Sequence, residues 1–220
     1  MTACPYEPRV DSTPRQGAIY RHVQTVLPES PVGVEVDLIL WELPYAVALS
    51  QECDLLQDHK SRDKLKQSGS APTDFKHDKL LPTILLCPAY QASVFRTGDH
   101  LSALGRKMES HTSRQWPLIR QNNNPRYHYL VGWPDYQVPE LVLDFKHFFV
   151  MPTELMINHY GDAIHYVARL SSLYREDLSH RFAAYLGRIG LPVSHHEFPE
   201  TMVGQPVVGQ GGSGQPAPRQ

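Results

Sequence analysis

Long apolar runs, paired cysteines and a charge excess of either sign are all missing from this chain of 220 residues, and each absence removes a class of protein. Its longest apolar stretches are far short of the roughly 20 residues that cross a bilayer, so no membrane span is expected. The three cysteines, Cys4, Cys53 and Cys87, cannot all pair, and none has a close partner. They read as reduced thiols in a reducing compartment rather than as a disulfide framework. A formal net charge of −2 gives no overall basic footprint for nucleic acid, although a local basic groove stays compatible with it. Met1 to Pro14 is rich in Pro, Asp, Glu and Arg instead of a basic segment followed by an apolar one, so no secretory leader is read and a cytoplasmic protein is expected. Twelve histidines are scattered rather than clustered, which is weak evidence for a metal.

What is present suits one soluble domain with a real core. Residues 1–15 carry three prolines and read as a loosely held arm, 16–198 as a single α+β domain, and 199–220 as a Gly-, Gln- and Pro-rich tail with too little apolar surface to order itself. Strands are expected from Gly17 to Leu27, from Val34 to Trp41, from Ala46 to Gln51 after the interruption at Pro44, and from Leu80 to Cys87. Residues 57–79 have mixed charge and little apolar periodicity, as an exposed insertion would, with a short helix around Arg62 to Gln67. One or two short helices broken near Gly98 follow, then an Asn-Pro turn into an aromatic strand at Tyr127 to Leu130. Leu141 to Val150 reads as a strand, or two kinked near Asp144, and an Asp inside such a run needs partners if it is buried. Leu178, Phe182, Tyr185, Leu186 and Ile189 repeat at helical spacing, with Ser171 or Ser172 as cap and Gly190 and Pro192 as the stop. The expected architecture is a bent antiparallel sheet or SH3-like β-barrel with an inserted loop or helical region and a C-terminal amphipathic helix.

The first half resembles the small SH3-like barrel of the PemK/MazF toxins. The pieces that carry the resemblance are Gly17-Ala18-Ile19-Tyr20, Tyr45-Ala46-Val47-Ala48-Leu49-Ser50 and Ile84-Leu85-Leu86-Cys87-Pro88. Ser50-Gln51-Glu52-Cys53-Asp54, the Arg120 to Leu130 segment, Asp144-Phe145-Lys146-His147 and Arg188 to Pro192 together are similar to a family of uncharacterised bacterial proteins. The toxin resemblance implies a metal-independent endoribonuclease acting on single-stranded RNA through a basic and a hydroxyl residue. Tyr90 stands where the hydroxyl residue after Pro88 is expected, and Arg96 offers positive charge after the same strand.

Three constellations carry chemistry. Cys53 beside Asp54 is either a nucleophile in need of a histidine base or an ordinary core thiol. Cys53, Cys87 and histidines such as His100 have the right chemistry for zinc but no finger-like spacing, so no metal and no cofactor is expected. Arg120, Arg126, Tyr127, His128 and Tyr129 interleave cations, rings and amides as a single-strand nucleic-acid surface does, or else pack an Asn-rich turn on the sheet. A polar pocket is expected where Ser50, Gln51, Cys53, Asp54, Tyr90 and Arg126 meet. Two functions remain: a non-catalytic binding module of a bacterial cytoplasmic system, linked to mobile elements or defence, and the ribonuclease. Single-stranded RNA, a protein partner and a second copy in a homodimer are the compatible partners.

Overall fold

The computed structural model describes residues 4–28, 38–68 and 77–188. The first half supplies β1 (Tyr6–Glu7), β2 (Ala18–Pro28), β3 (Leu38–Ala48), α1 (Glu52–Ser68), β4 (Thr83–Gln91) and α2 (Ala92–Thr97). The second supplies α3 (Trp116–Arg120), β5 (Tyr127–Leu130), β6 (Leu141–Asp144), β7 (Phe149–Pro152), α4 (Thr153–Asn158), β8 (Tyr166–Leu170) and α5 (Ser172–Leu186). The strands form one antiparallel sheet in the order β1-β8-β2-β3-β4-β6-β5, with β7 also on β4. It is a strongly curled half-barrel within a mixed α+β fold. Among the described residues no helix is long and apolar enough to cross a membrane.

The continuous apolar runs of β3 and β4 are explained by burial on both faces. Tyr20, Ala46 and Leu86 point into a core inside the curl, closed by Leu55, Phe95, Ile119 and Met156 from the helices. Their neighbours Ile19, Val47 and Cys87 point the other way, into a second core closed by Leu178 and Phe182 of α5. Alternation is therefore apolar on both sides, and period two disappears from the sequence.

Pro44 does not divide β3. Pairing with β4 begins only at Tyr45, so the missing N–H takes nothing from that ladder. On the β2 side, Arg21 pairs Tyr45 and Val23 pairs Leu43, while His22 between them has φ 55°, so Pro44 falls at a local irregularity of the ladder. The 57–79 insertion begins as a long helix, α1, that starts at Glu52. Its buried stripe is Leu55, Asp58 and Ser61, and a stripe with two polar members carries no apolar periodicity. Asp58 is held by Arg62 at 2.7 Å and by the Leu81 N–H at 2.8 Å.

The arm expected over 1–15 is tied down where it is described. Tyr6 is buried, its hydroxyl donates to the Val131 carbonyl at 2.5 Å, and β1 pairs β8. The tail over 199–220 and the positions Ile189, Gly190 and Pro192 lie outside the described residues.

Arg181 fastens α5 to the start of β5. Its guanidinium donates to the carbonyls of Asn122, Asn124 and Tyr127 and to Nδ1 of buried His128 at 3.1 Å. Burial, and then the Arg181 cation, hold the His128 pKa down to about 3. A folded-state value below the unfolded one, about 6.5, makes stability fall as pH drops from there toward 3, because only the unfolded chain takes the proton. Between pH 7 and pH 5 this single group removes about 2 kcal/mol. Urea unfolding at the two pH values is expected to show a smaller loss, by about that amount, in His128→Gln than in the native chain; equal losses would contradict the assignment.

Candidate functional site

The Ser50 to Asp54 stretch is an anchor, not a pocket wall. The Leu49 N–H reaches the Leu85 carbonyl at 2.8 Å, and the Ser50 hydroxyl takes the Leu85 N–H at 2.8 Å, which finishes the β3–β4 ladder. Glu52, overlooked in the sequence because its neighbours looked more reactive, is the charged centre of the stretch. It accepts the Gln16 N–H at 2.9 Å and faces Arg15 at 3.3 Å and Arg175 at 3.7 Å. A carboxylate in the first turn also complements the positive end of α1. Cys53 is exposed, with its thiol 3.6 Å from both Gln51 Oε1 and Asp54 Oδ1.

The pocket expected from Ser50, Gln51, Cys53, Asp54, Tyr90 and Arg126 is not assembled. Ser50 meets β4 at Leu85, and Tyr90 lies five residues further along an extended strand, about 17 Å away. The zinc alternative falls for a related reason. Cys53 is exposed, Cys87 is buried behind β4, and no group of three or more potential ligands converges among the described residues. Burial pushes the Cys87 thiol well above its usual range, and it donates to the Asp144 carbonyl at 3.3 Å. It is a core residue.

Tyr90 belongs to a different cluster. Its ring lies 4.6 Å from His100, which stacks on Phe95, and Phe95 in turn touches His111 and the edge of Tyr127. Burial lowers the His100 pKa to about 4, and neither of its ring nitrogens has a partner. Beside this cluster Asp144, fully buried, closes β6. Its carboxylate accepts from Arg126 at 2.8 and 2.6 Å and from the Lys146 N–H at 3.1 Å, and His147 Nδ1 stands 3.2 Å away at ion-pair distance. The sequence signal for this group was the lone Asp inside an apolar run, with a basic residue and a His two and three positions later.

The strand kink after Asp144 opens a cavity of about 260 Å³. Trp41 and Leu43 of β3, Tyr90 of β4, Leu101, Phe148 and Phe149 form its apolar wall, and Arg106 and His147 supply its polar groups. The indole N–H of Trp41 is buried without a partner. Burial depresses the His147 pKa, Asp144 opposes this, and Arg126, Lys146 and Arg106 add to the depression. A wider groove of about 510 Å³, lined by Leu40, Val150 and Leu155 among others, shares Thr25 and Val26 with the cavity. Sequence reading expected Tyr90 in a pocket with Ser50, Gln51, Cys53, Asp54 and Arg126, and it missed Trp41, Arg106, His147, Phe148 and Phe149, which only the curl of the sheet brings together with Tyr90.

The remaining expected site residues are spread over other surfaces. Arg96 lies over Trp116 at 5.7 Å, and Arg120 lies over Tyr129 at 5.5 Å and pairs Glu140 at 3.6 Å. Arg126 covers its neighbour Tyr127 at 4.9 Å while gripping Asp144. Tyr127 and His128 are buried and face the two cores, so the Arg120 to Tyr129 segment does not present a row of open rings. No protein-family model matches the chain, and comparison with curated proteins gives no match.

Thiol chemistry separates the two readings of the cysteines. An aromatic disulfide reagent is expected to modify Cys53 of the folded chain rapidly and Cys87 only after unfolding, with Cys53→Ser leaving the melting temperature unchanged. Fast modification of Cys87 in the folded chain would contradict the buried placement.

Proposed function

We propose that this protein is a binding module that seats one unpaired base of a single-stranded nucleic acid in the cavity between β3, β4 and β7. The carrying observation is the convergence of Trp41, Tyr90, Phe148 and Phe149 with Arg106 around one small volume. Flat rings stack on bases of any sequence at about 1–3 kcal/mol each, and a guanidinium suits a phosphate. A volume of about 260 Å³ favours one ring system over a larger molecule. The chain's formal net charge of −2 favours a contact of one or two phosphates over a long electrostatic track. Curling of β2, β3 and β4 supports an SH3-like ancestry for the platform.

A PemK/MazF-like ribonuclease is the second reading. It draws on the short sequence resemblance, and Arg126, a basic residue it would use, is engaged by Asp144. Titration of the full chain with short single-stranded oligonucleotides of each base distinguishes the two. Trp41→Leu is expected to weaken binding by about 1–3 kcal/mol, roughly 5- to 150-fold, with the salt dependence of only one or two phosphates. Unchanged affinity in Trp41→Leu would refute the base-seating reading. Metal-free cleavage of RNA lost in Arg96→Ala but kept in Trp41→Leu would install the ribonuclease in its place.

A further inference from the structure

The base-seating cavity contains more than binding requires. His147 stands on its wall with Nδ1 3.2 Å from the fully buried Asp144 carboxylate. The carboxylate stands at ion-pair distance from Nδ1, so its charge draws the ring proton to that nitrogen and leaves Nε2 as the basic one. Asp144 is itself held in place by two bonds from Arg126 and one from the Lys146 N–H, so the imidazole is oriented from behind by a rigid group. A histidine that only packed would not need a buried acid as backing, and this one lies partly open with Arg106 on the same wall.

We propose that His147 is a general base, positioned by Asp144, that activates water for hydrolysis of a nucleotide phosphodiester whose base occupies the cavity. The inference rests on the base-seating reading and adds a reaction to it. Nε2 takes a proton from water as the water oxygen bonds to phosphorus. The P–O bond to the leaving oxygen breaks, and its electron pair departs with that oxygen. A departing alkoxide recovers the proton from His147 and leaves as the alcohol, while a phenolate leaves as the anion and His147 returns its proton to the solvent. Arg106 faces the charge that builds on the phosphoryl oxygens. The products are a phosphomonoester and an alcohol or phenolate, with no change of oxidation state.

The groups acting on His147 fix the expected pH dependence. Asp144 favours the imidazolium, whereas burial and the cations Arg126, Lys146 and Arg106 disfavour it, and His100 lies nearby with its own titration displaced downward. The net effect is a ring that stays neutral, and therefore able to accept a proton, to a lower pH than an ordinary histidine. Hydrolysis should thus rise with pH through a midpoint below about 6.5.

The probes are the p-nitrophenyl phosphodiesters of the four common deoxynucleosides, which lack a neighbouring hydroxyl and so report attack by water. Full-length protein is tested for phenolate release, and binding of the matching nucleoside monophosphates is followed by tryptophan fluorescence. Expected are hydrolysis that exceeds that of a base-free p-nitrophenyl ester and a loss of about 100-fold or more in kcat in His147→Gln, with monophosphate binding changed by less than about 10-fold. In His147→Gly, added imidazole should restore part of the rate. Because Asp144→Asn removes a buried partner of Arg126 and can unfold the chain, the His147 tautomer, read from imidazole nitrogen shifts of the native protein, serves as the readout of the Asp144 backing. Binding without hydrolysis, or hydrolysis that His147→Gln leaves intact, would overturn the catalytic inference and leave the binding module standing. Absence of both binding and hydrolysis would overturn the two readings together.

Discussion

The buried contact between Asp144 and Arg126 is the constraint from which the functional face follows. A carboxylate with no exposure has to be matched, since an unpaired one in the interior costs several kcal/mol. Arg126 gives it two bonds and the Lys146 N–H gives one, with His147 beside it at 3.2 Å. Backbone bonds reinforce the arrangement, because the Phe145 N–H returns to the Arg126 carbonyl at 3.0 Å and Tyr127 stands opposite Asp144 in the β5–β6 ladder. Loss of Arg126 alone would leave the acid stranded, at a cost on the order of 3 kcal/mol.

This contact turns the chain. Residues 145–147 form a single 3₁₀ turn capped by Asp144, which takes the strand off its course and returns it as β7. β6 and β7 can then share one edge of β4, at Ala89–Gln91 and at Thr83–Leu86 respectively. The same turn sets Phe148 and Phe149 opposite Trp41 across the cavity and leaves His147 on its rim. Gly98 keeps the far wall in place: with φ 84° it ends α2 and turns the chain toward His100 and Leu101, and a side chain there would meet the Met108 carbonyl at 2.6 Å. Structure and chemistry are thus coupled through one acid, which is satisfied by the groups that it orients.

Much of the fold was legible because local chemistry agreed with tertiary structure. The aromatic strand after Asn124-Pro125, the break at Gly98 and the kink at Asp144 all stand where turn residues and an isolated acid put them. Elements governed by polar burial were not legible. α1 buries Asp58 and Ser61 beside Leu55, so its stripe was invisible, and the residues around Cys53 were read as a strand end opening on a cleft. Short pieces such as α3, α4 and β8 gave no distinct pattern, being held by neighbours rather than by propensity. The cavity was the least legible feature. Its walls come from residues between positions 25 and 149, and no local period records which of them a curled sheet will bring face to face.

The protonation state of His147 tests the central claim most directly. Imidazole nitrogen shifts measured by NMR across the acid and neutral range, with His147 assigned by comparison with His147→Gln, report both the tautomer and the midpoint. The account predicts a neutral ring protonated on Nδ1, the nitrogen nearer Asp144, that gains its second proton only below the ordinary histidine value of about 6.5. A ring protonated on Nε2 at neutral pH, or a midpoint above that value, would contradict it.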